Sequence, residues 1–394
     1  MKIIIHRKKI LQNHIIVFLL LFPFLKPDLA NQTYSIDIFY NTIQVAAVLI
    51  IIYIYFLKNH LSKIIIFWGG YYSILLFSTM IHQGSIYKIV VECLNVFGLA
   101  MLTEIYLKED ILKFLEVFSW IGEILVIINL ISILLFPDGI YFSEFTHNPC
   151  YFLGHRNVMA QWVIFFMGIS IIRSYVKNRK LDFSSIVITV LVCINVISVW
   201  SATSLAGLCF CILVILLSLY KALPSIFNYK TVLSASVTAT LLIVVFQVQQ
   251  IFSFVIKNVL HKELSFSGRV SIWNQSLFYI LQSPWIGNGS EENQALIRKI
   301  VLESTHNFYL QTMYNVGVLG MLFVAAWLIY FGCELKKGQS KQMYGIILGV
   351  MSYFLVIWTA ESTYGKVLSF IICLSILGSN IAQLENCRLI VKRK

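Results

Sequence analysis

His306-Asn-Phe-Tyr-Leu-Gln-Thr-Met-Tyr-Asn-Val-Gly317-Val-Leu-Gly320 decides how this chain is read. An imidazole and a carboxamide open an apolar run over 305–332, long enough to cross the hydrocarbon core of a bilayer. Two glycines, Gly317 and Gly320, follow at fixed spacing. Before it lies 250–304, the longest stretch without the character of a span, carrying Arg269, Arg298 and Lys299. A titratable group thus stands where a polar loop enters a membrane helix. Chemistry at the bilayer surface is expected there, beyond a passive scaffold.

Composition fixes the class. The chain has 394 residues, of which 59% are hydrophobic and only 12% charged, and its mean hydropathy is +0.82. A water-soluble protein this apolar lacks the polar surface to stay dispersed. The 14% aromatic content fits Tyr and Trp at membrane interfaces. The net charge of +12 sits in short loops between apolar runs, a topological pattern and not a nucleic-acid footprint. Of eight cysteines, Cys93, Cys193, Cys209, Cys211, Cys333 and Cys373 lie in or beside apolar runs, Cys150 in a polar outer loop and Cys387 in the basic tail. Neither a disulfide framework nor a zinc-type spacing is implied, and no metal or cofactor is expected. Arg7, Lys8 and Lys9 followed by the apolar run 15–22 resemble a signal peptide. No small-x-small site follows, so an uncleaved first span is expected.

The expected fold is all-α, a polytopic transmembrane helix bundle forming one membrane domain over 1–394. About twelve spans are read at 12–29, 36–57, 62–82, 86–107, 114–136, 157–175, 184–200, 203–220, 231–249, 305–332, 343–360 and 366–384. Alternate connections then hold most of the basic residues, among them Arg7, Lys58, Lys63, Lys108, Arg173, Lys177, Lys336 and Arg393. The positive-inside rule places both termini in the cytoplasm and Arg156, Arg269 and His306 on the outer face. The outer segments 137–156 and 250–304 exceed ordinary helix–helix connections. Within the second, Val270, Trp273, Leu277, Ile280 and Leu281 recur at helical spacing. An amphipathic helix over 269–282 is expected, ended by Pro284, with a turn at Gly287-Asn288-Gly289-Ser290 and a second helix over 291–303 capped by Ser290.

Candidate site residues follow from chemistry and placement. Arg269, in the first turn of its helix, joins a guanidinium to free backbone N–H groups and so suits a phosphate; the structural alternative is an arginine snorkelling to headgroups. His306 and Asn307 open the tenth span, where the helix N-terminus disfavours a protonated imidazole, leaving it able to take a proton; the alternative is a capping or interfacial role. Gly154-His155-Arg156-Asn157 forms a second polar knot, with Arg156 facing a ligand, headgroups or an acid, His155 a bystander and His147 plain loop. Ser201-Ala202-Thr203-Ser204 reads first as a cap or close-packing element and second as a polar floor. Glu92, Glu104 and Glu123 lie within or near spans. Glu361 could face the cavity of His306, with Lys366 as its partner. Glu291 and Glu292 read as N-terminal helix charges. No nucleotide-binding motif appears, so sugar chemistry here would use a lipid-linked donor on the outer face.

The ordered set resembles a family. His306-Asn307, nine residues, Gly317, two residues, Gly320 is similar to the signature of the O-antigen ligase and Wzy-type polysaccharide polymerase superfamily. Gly268-Arg269-x-x-x-Trp273 and Pro284-x-x-Gly287-x-Gly289 resemble the family's loop before it; Gly154-x-x-Asn157 and Ser201-x-Thr203-Ser204 match weaker blocks. The motifs cover about 150–325, and the N-terminal third offers only hydropathy. The resemblance implies a GT-C-like, metal-independent, inverting glycosyltransferase acting on undecaprenyl-diphosphate-linked oligosaccharides at the outer face of the bacterial cytoplasmic membrane. It implies that Arg156 and Arg269 hold the donor diphosphate and that His306 assists the acceptor hydroxyl as general base or orients it; Asn157, Ser201, Thr203, Asn307 and Glu361 are candidates for support of the site. A flippase and a chain-length regulator are implied partners, alongside membrane lipids.

A polymerase of repeat units for capsule, exopolysaccharide or O-antigen is preferred on family frequency and loop size. A ligase passing finished glycan to another acceptor is the alternative. A flippase or transporter of lipid-linked oligosaccharide, with Glu92 and Glu123 as coupling groups, is the alternative of a different class.

Overall fold

The computed structural model describes residues 11, 13–57, 61–143, 147–247, 269–363 and 365–391. Outside them lie the basic N-terminus, Gly268 and the loop segment 250–268. The helices in order are α1 (His14–Leu21), α2 (Tyr34–Phe56), α3 (Lys63–Ile81), α4 (Ile86–Glu109) and α5 (Ile111–Leu135), then α6 (Arg156–Asn178), α7 (Phe183–Ser198), α8 (Ala202–Leu219) and α9 (Tyr229–Thr240), which runs on into a π-helical turn. After the loop come α10 (Arg269–Gln282), α11 (Asn293–Ile300), α12 (Phe308–Leu335), α13 (Lys341–Ile357), α14 (Gly365–Ser379) and α15 (Ile381–Val391). Seven are long and apolar enough to cross a membrane, and five shorter apolar helices occupy the other expected span positions. The architecture is the expected all-α polytopic bundle.

Helix starts are set by side-chain caps. Ser62, Asp110, Asp182, Ser201, Asn307 and Ser340 each accept a backbone N–H two or three residues on, satisfying a donor that lipid cannot. α13 is buried on both faces and packs along α8. Gly345-x-x-x-Gly349 makes that approach possible, since a methyl on Gly345 would meet Ser218 and one on Gly349 would crowd Ile215.

Two features were not legible in the hydropathy. The segment before α6 forms a small antiparallel sheet of β1 (Tyr141–Phe142), β2 (Pro149–Tyr151) and β3 (Gly154–His155). Gly154 turns it at φ +112°, and a Cβ there would strike the Asp28 carboxylate. The second feature is a break in α12. Gly317 has φ +59° and ψ −161°, so the helix is interrupted at mid-course. The loop 284–289 fills the gap. Asn288 and Gly289 donate to the carbonyls of Tyr314 and Asn315 at 2.7 and 3.0 Å, and Val318 and Leu319 donate to the carbonyls of Pro284 and Trp285 at 2.9 and 3.1 Å. Two carbonyls before the break and two amides after it therefore find loop partners. Ser290 is consequently not the expected cap: its N–H goes to Thr79 Oγ1 at 2.8 Å, and Glu292 precedes α11 instead.

The expected consequence is that Gly317→Ala destabilises the fold by about 1–3 kcal/mol, because a left-handed backbone is forced on an L side chain and its Cβ would lie 2.5 Å from the Trp285 carbonyl carbon. Gly69→Ala, with open space around it, should leave the melting temperature in detergent unchanged; equal shifts for the two variants would contradict the docking of the loop.

Candidate functional site

The site is assembled at one end of the bundle from three chain segments tied to a turn. That turn, 358–363, follows α13. It is fixed to the start of α12 by Phe308 N–H donating to the Trp358 carbonyl at 3.0 Å, by Asn307 Nδ2 donating to the Thr359 carbonyl at 3.0 Å, and by the stacked rings of Phe308 and Trp358, 4.0 Å apart. Asn307 thus serves as helix cap and turn anchor. The amphipathic helix α10, described from Arg269 onward, buries Ile272, Trp273 and Ile280 against Leu310 and Tyr314 of α12. Trp273 Nε1 donates to the Thr305 carbonyl at 3.0 Å, locking α10 over the residue next to His306. His155 caps α6, accepting from Asn157 N–H on Nδ1 at 3.3 Å.

Glu361 is where these segments meet. Arg269 Nη2 lies 2.6 Å from its Oε1, Asn157 Nδ2 donates to the same oxygen at 2.7 Å, and His306 Nδ1 lies 3.0 Å from Oε2. The carboxylate is buried, and burial alone would raise its pKa. The hydrogen bond from His306 and the charge of Arg269 outweigh that and hold the carboxyl below its ordinary range. Asn157 is oriented in turn by Ser201, whose hydroxyl donates to Asn157 Oδ1 at 2.8 Å and lies 2.9 Å from Ser204 Oγ. His306 itself stands outside the helix it was expected to begin, at φ +50°. A non-glycine residue in that region is uncommon and often marks a functional constraint. With Nδ1 on the carboxylate, Nε2 is left as the nitrogen able to take a proton.

Arg156 and Arg269 share a cavity of about 440 Å³ with His155, Asn157, Ser304 and His306. Arg156 is the first residue of its helix, and Arg269 is the first described residue of α10. A cation is disfavoured at the positive end of a helix dipole, and among the described residues Arg156 has no carboxylate partner such as Arg269 has in Glu361, so this cavity favours an anion. Arg156 is exposed and, among the described residues, makes no hydrogen bond or ion pair. On the other side of His306 lies a second cavity of about 390 Å³, reached by Glu92, Asn95, Gln161, Glu361 and Lys366. His155, Asn157, Glu303, Ser304 and His306 line both. Burial lowers the His155 pKa against the pull of the Glu361 and Asp28 carboxylates, so the residue read as a bystander is part of the partition.

Other expectations need correction. Lys366 does not pair with Glu361; its Nζ donates to the Lys26 carbonyl at 2.9 Å. Thr203 is half-buried in the first turn of α8, and the hydroxyl beside Ser201 is that of Ser204. Glu291 is buried, paired with Lys299 and accepting from Tyr314 Oη at 3.0 Å, a structural tie and not a helix-end charge. Glu123 accepts from Ser119, Ser170 and Ser184 on one oxygen, at 2.8, 3.0 and 2.9 Å. Gln161, which sequence reasoning missed, accepts from Thr363 Oγ1 at 3.0 Å and so braces the Glu361 turn; a mid-span Gln is the signal that could have found it.

Residues 187–325 match the family model described as O-Antigen ligase, a segment that contains Ser201, Arg269, the Pro284–Gly289 loop, His306 and both signature glycines. The match covers about a third of the chain and supports the superfamily resemblance over that segment, and the apolar helices are those of a multi-pass membrane protein. No curated protein matches the chain.

Glu361 gives a pH test with a definite sign. A carboxyl held below its ordinary value of 4.5 contributes stability above that value, and the contribution is lost as pH falls through the depressed one. Thermal melts taken from about pH 6 down to about pH 3 should show wild type above Glu361→Gln at the start and the gap closing on acidification; a constant gap would contradict the ionised hub.

Proposed function

We propose that this protein is an inverting polymerase of lipid-diphosphate-linked oligosaccharide repeat units, working at the outer face of the bacterial cytoplasmic membrane with both termini inside and the whole chain, 1–394, as one membrane domain. The convergence of Arg269, His306 and Asn157 on Glu361, with Arg156 facing the same cavity, carries the reading. The donor's undecaprenyl diphosphate lies against Arg156 and Arg269, held by two guanidiniums and the start of α6. The hydroxyl of the acceptor glycan attacks the anomeric carbon from the side opposite the diphosphate. As the new C–O bond forms, the C–O bond to the diphosphate breaks and its electron pair leaves with undecaprenyl diphosphate. The arginines stabilise the charge growing on that leaving group. His306 Nε2 takes the hydroxyl proton, and Glu361 steadies the resulting imidazolium through Nδ1. Displacement from the opposite face inverts the anomeric centre.

A ligase uses the same donor chemistry, and the description of the matched family favours it as the second reading. In the polymerase the growing chain moves onto the next lipid-linked unit; in the ligase the finished chain moves onto another acceptor. Partners of the pathway, a flippase and a chain-length regulator, fit either. The transporter reading loses one of its coupling groups if Glu123 serves only its three serine partners.

The test is polysaccharide ladders from cells lacking the gene, complemented at matched membrane levels. Arg269→Ala and His306→Ala should each lower chain formation by about 10²–10³-fold, the scale for removing a transition-state stabiliser or base; Arg156→Ala should weaken donor use. Single repeat units accumulating without a ladder indicate the polymerase. Long chains left on the carrier indicate the ligase. Normal ladders with both Arg269 and His306 replaced would overturn the transfer reading.

A further inference from the structure

We propose that the cavity beyond His306 is the acceptor-sugar site, in which Glu92 and Lys366 hold hydroxyls of the acceptor glycan; this rests on the transfer reading above. The two cavities share His155, Asn157, Glu303, Ser304 and His306 in their linings, so His306 borders both an arginine-lined space and a mixed polar one. The second space extends into a third of about 370 Å³, with Asn31, Glu92, Asn95, Glu303 and Lys366 common to both. Volumes of this size are those of ligand pockets.

Glu92 and Lys366 are charged groups of this chamber with one uncharged hydrogen-bond partner each, beside Asp28, which lines the same space. Glu92 lies in the second turn of α4, where its hydrogen-bond partner is the Tyr72 hydroxyl at 3.4 Å. Lys366 lies in the first turn of α14, with the Lys26 carbonyl as its partner. Neither makes an ion pair among the described residues, with each other or with any other group. By contrast Lys26 pairs with Asp37, and Lys88 is held by the Glu291 carbonyl and Asn293 at 2.7 and 2.6 Å. Ionisable groups at membrane depth are costly and mark function when nothing in the fold neutralises them.

An acid and a base facing one chamber without touching define the ligand's chemistry. A phosphate would satisfy Lys366 and be repelled by Glu92; a cation would do the reverse. A sugar hydroxyl donates its proton to a carboxylate and accepts from an ammonium, so a polyhydroxylated ring satisfies both. Asn95 and Gln161 add carboxamides to the same wall. The chamber therefore selects a saccharide by its hydroxyl pattern, while charge recognition stays with the arginines.

The experiment uses the full chain in lipid nanodiscs. The donor is the lipid-linked repeat unit extracted from cells lacking this gene, and the soluble acceptor is the oligosaccharide released from that extract by mild acid. Glu92→Gln and Lys366→Met should each raise the half-saturating acceptor concentration by about tenfold or more, the loss expected for one charge-assisted hydrogen bond. The half-saturating donor concentration should hold, and Lys366→Arg should restore part of the loss. Either variant alone suffices if the other fails to fold, as judged by its elution volume and melt. Unchanged acceptor dependence in a folded variant, or a parallel rise for donor and acceptor, would overturn the assignment. So would competition between pyrophosphate and acceptor that disappears in Lys366→Met, since it would place a phosphate in the chamber. Arg269→Ala separates the two levels of the argument. If it abolishes transfer while the chamber variants change nothing, only the acceptor site falls; if it leaves transfer intact, the transfer reading itself falls.

Discussion

One buried carboxylate organises this protein's polar end. Glu361 accepts from Arg269, Asn157 and His306, which belong to α10, α6 and the residues before α12. A carboxylate has only acceptor capacity, and a buried one without donors is costly. The three contacts therefore depend on one another. Removing Glu361 would release a guanidinium, an imidazole and a carboxamide at once, and removing any partner would leave part of a buried charge unmet. This mutual dependence fixes the His306 ring with Nδ1 occupied and Nε2 turned to the cavities, and on the proposed reading it makes a base from a residue that no regular helix positions.

The second constraint is the obligation to pair every backbone group where water is absent. The break at Gly317 would orphan carbonyls and amides in the middle of α12. The segment 284–289 supplies their partners and is itself held to the end of α3 by Ser78, whose hydroxyl donates to the Gly287 carbonyl at 2.9 Å. The glycine signature and the loop motif are thus two halves of one joint. By seating the loop, the joint sets the end of α10, and Trp273 sets its middle. Arg269 is aimed by backbone hydrogen bonds made far from it, and the glycines are structural residues in the service of a site they do not touch.

How much of this was legible follows from which physics was local. Span positions come from apolar runs long enough for a bilayer, and α10 ends where its apolar spacing and Pro284 say. The convergence of Arg156, Asn157, Arg269 and His306 in space could not be read, because it depends on how α6, α10 and α12 pack. Glu361 could be suspected from its place at the end of a span, yet its role as shared acceptor, and the failure of Lys366 to pair with it, belong to the turn geometry after α13. The small sheet before α6 escaped because its strands are two or three residues long, too short for any periodicity. The break at Gly317 escaped because hydropathy runs unbroken across it; only the positive φ reveals it.

The matched family segment, 187–325, holds Arg269, His306 and the joint that seats them, the parts that on the proposed reading act on the donor. The proposed acceptor chamber is built elsewhere, from Glu92 and Asn95 of α4, Gln161 of α6 and Lys366 of α14. This division has a physical reason. Every enzyme that draws on the same lipid diphosphate faces the same leaving group, so one arrangement of guanidinium and imidazole serves them all. The acceptor varies in its hydroxyls, and hydroxyl patterns are read by individually placed acids, bases and carboxamides, whose positions must change with the sugar. On this reading the distinction between adding to another repeat unit and adding to a different glycan is made on the far side of His306, by helices that lie outside the family segment.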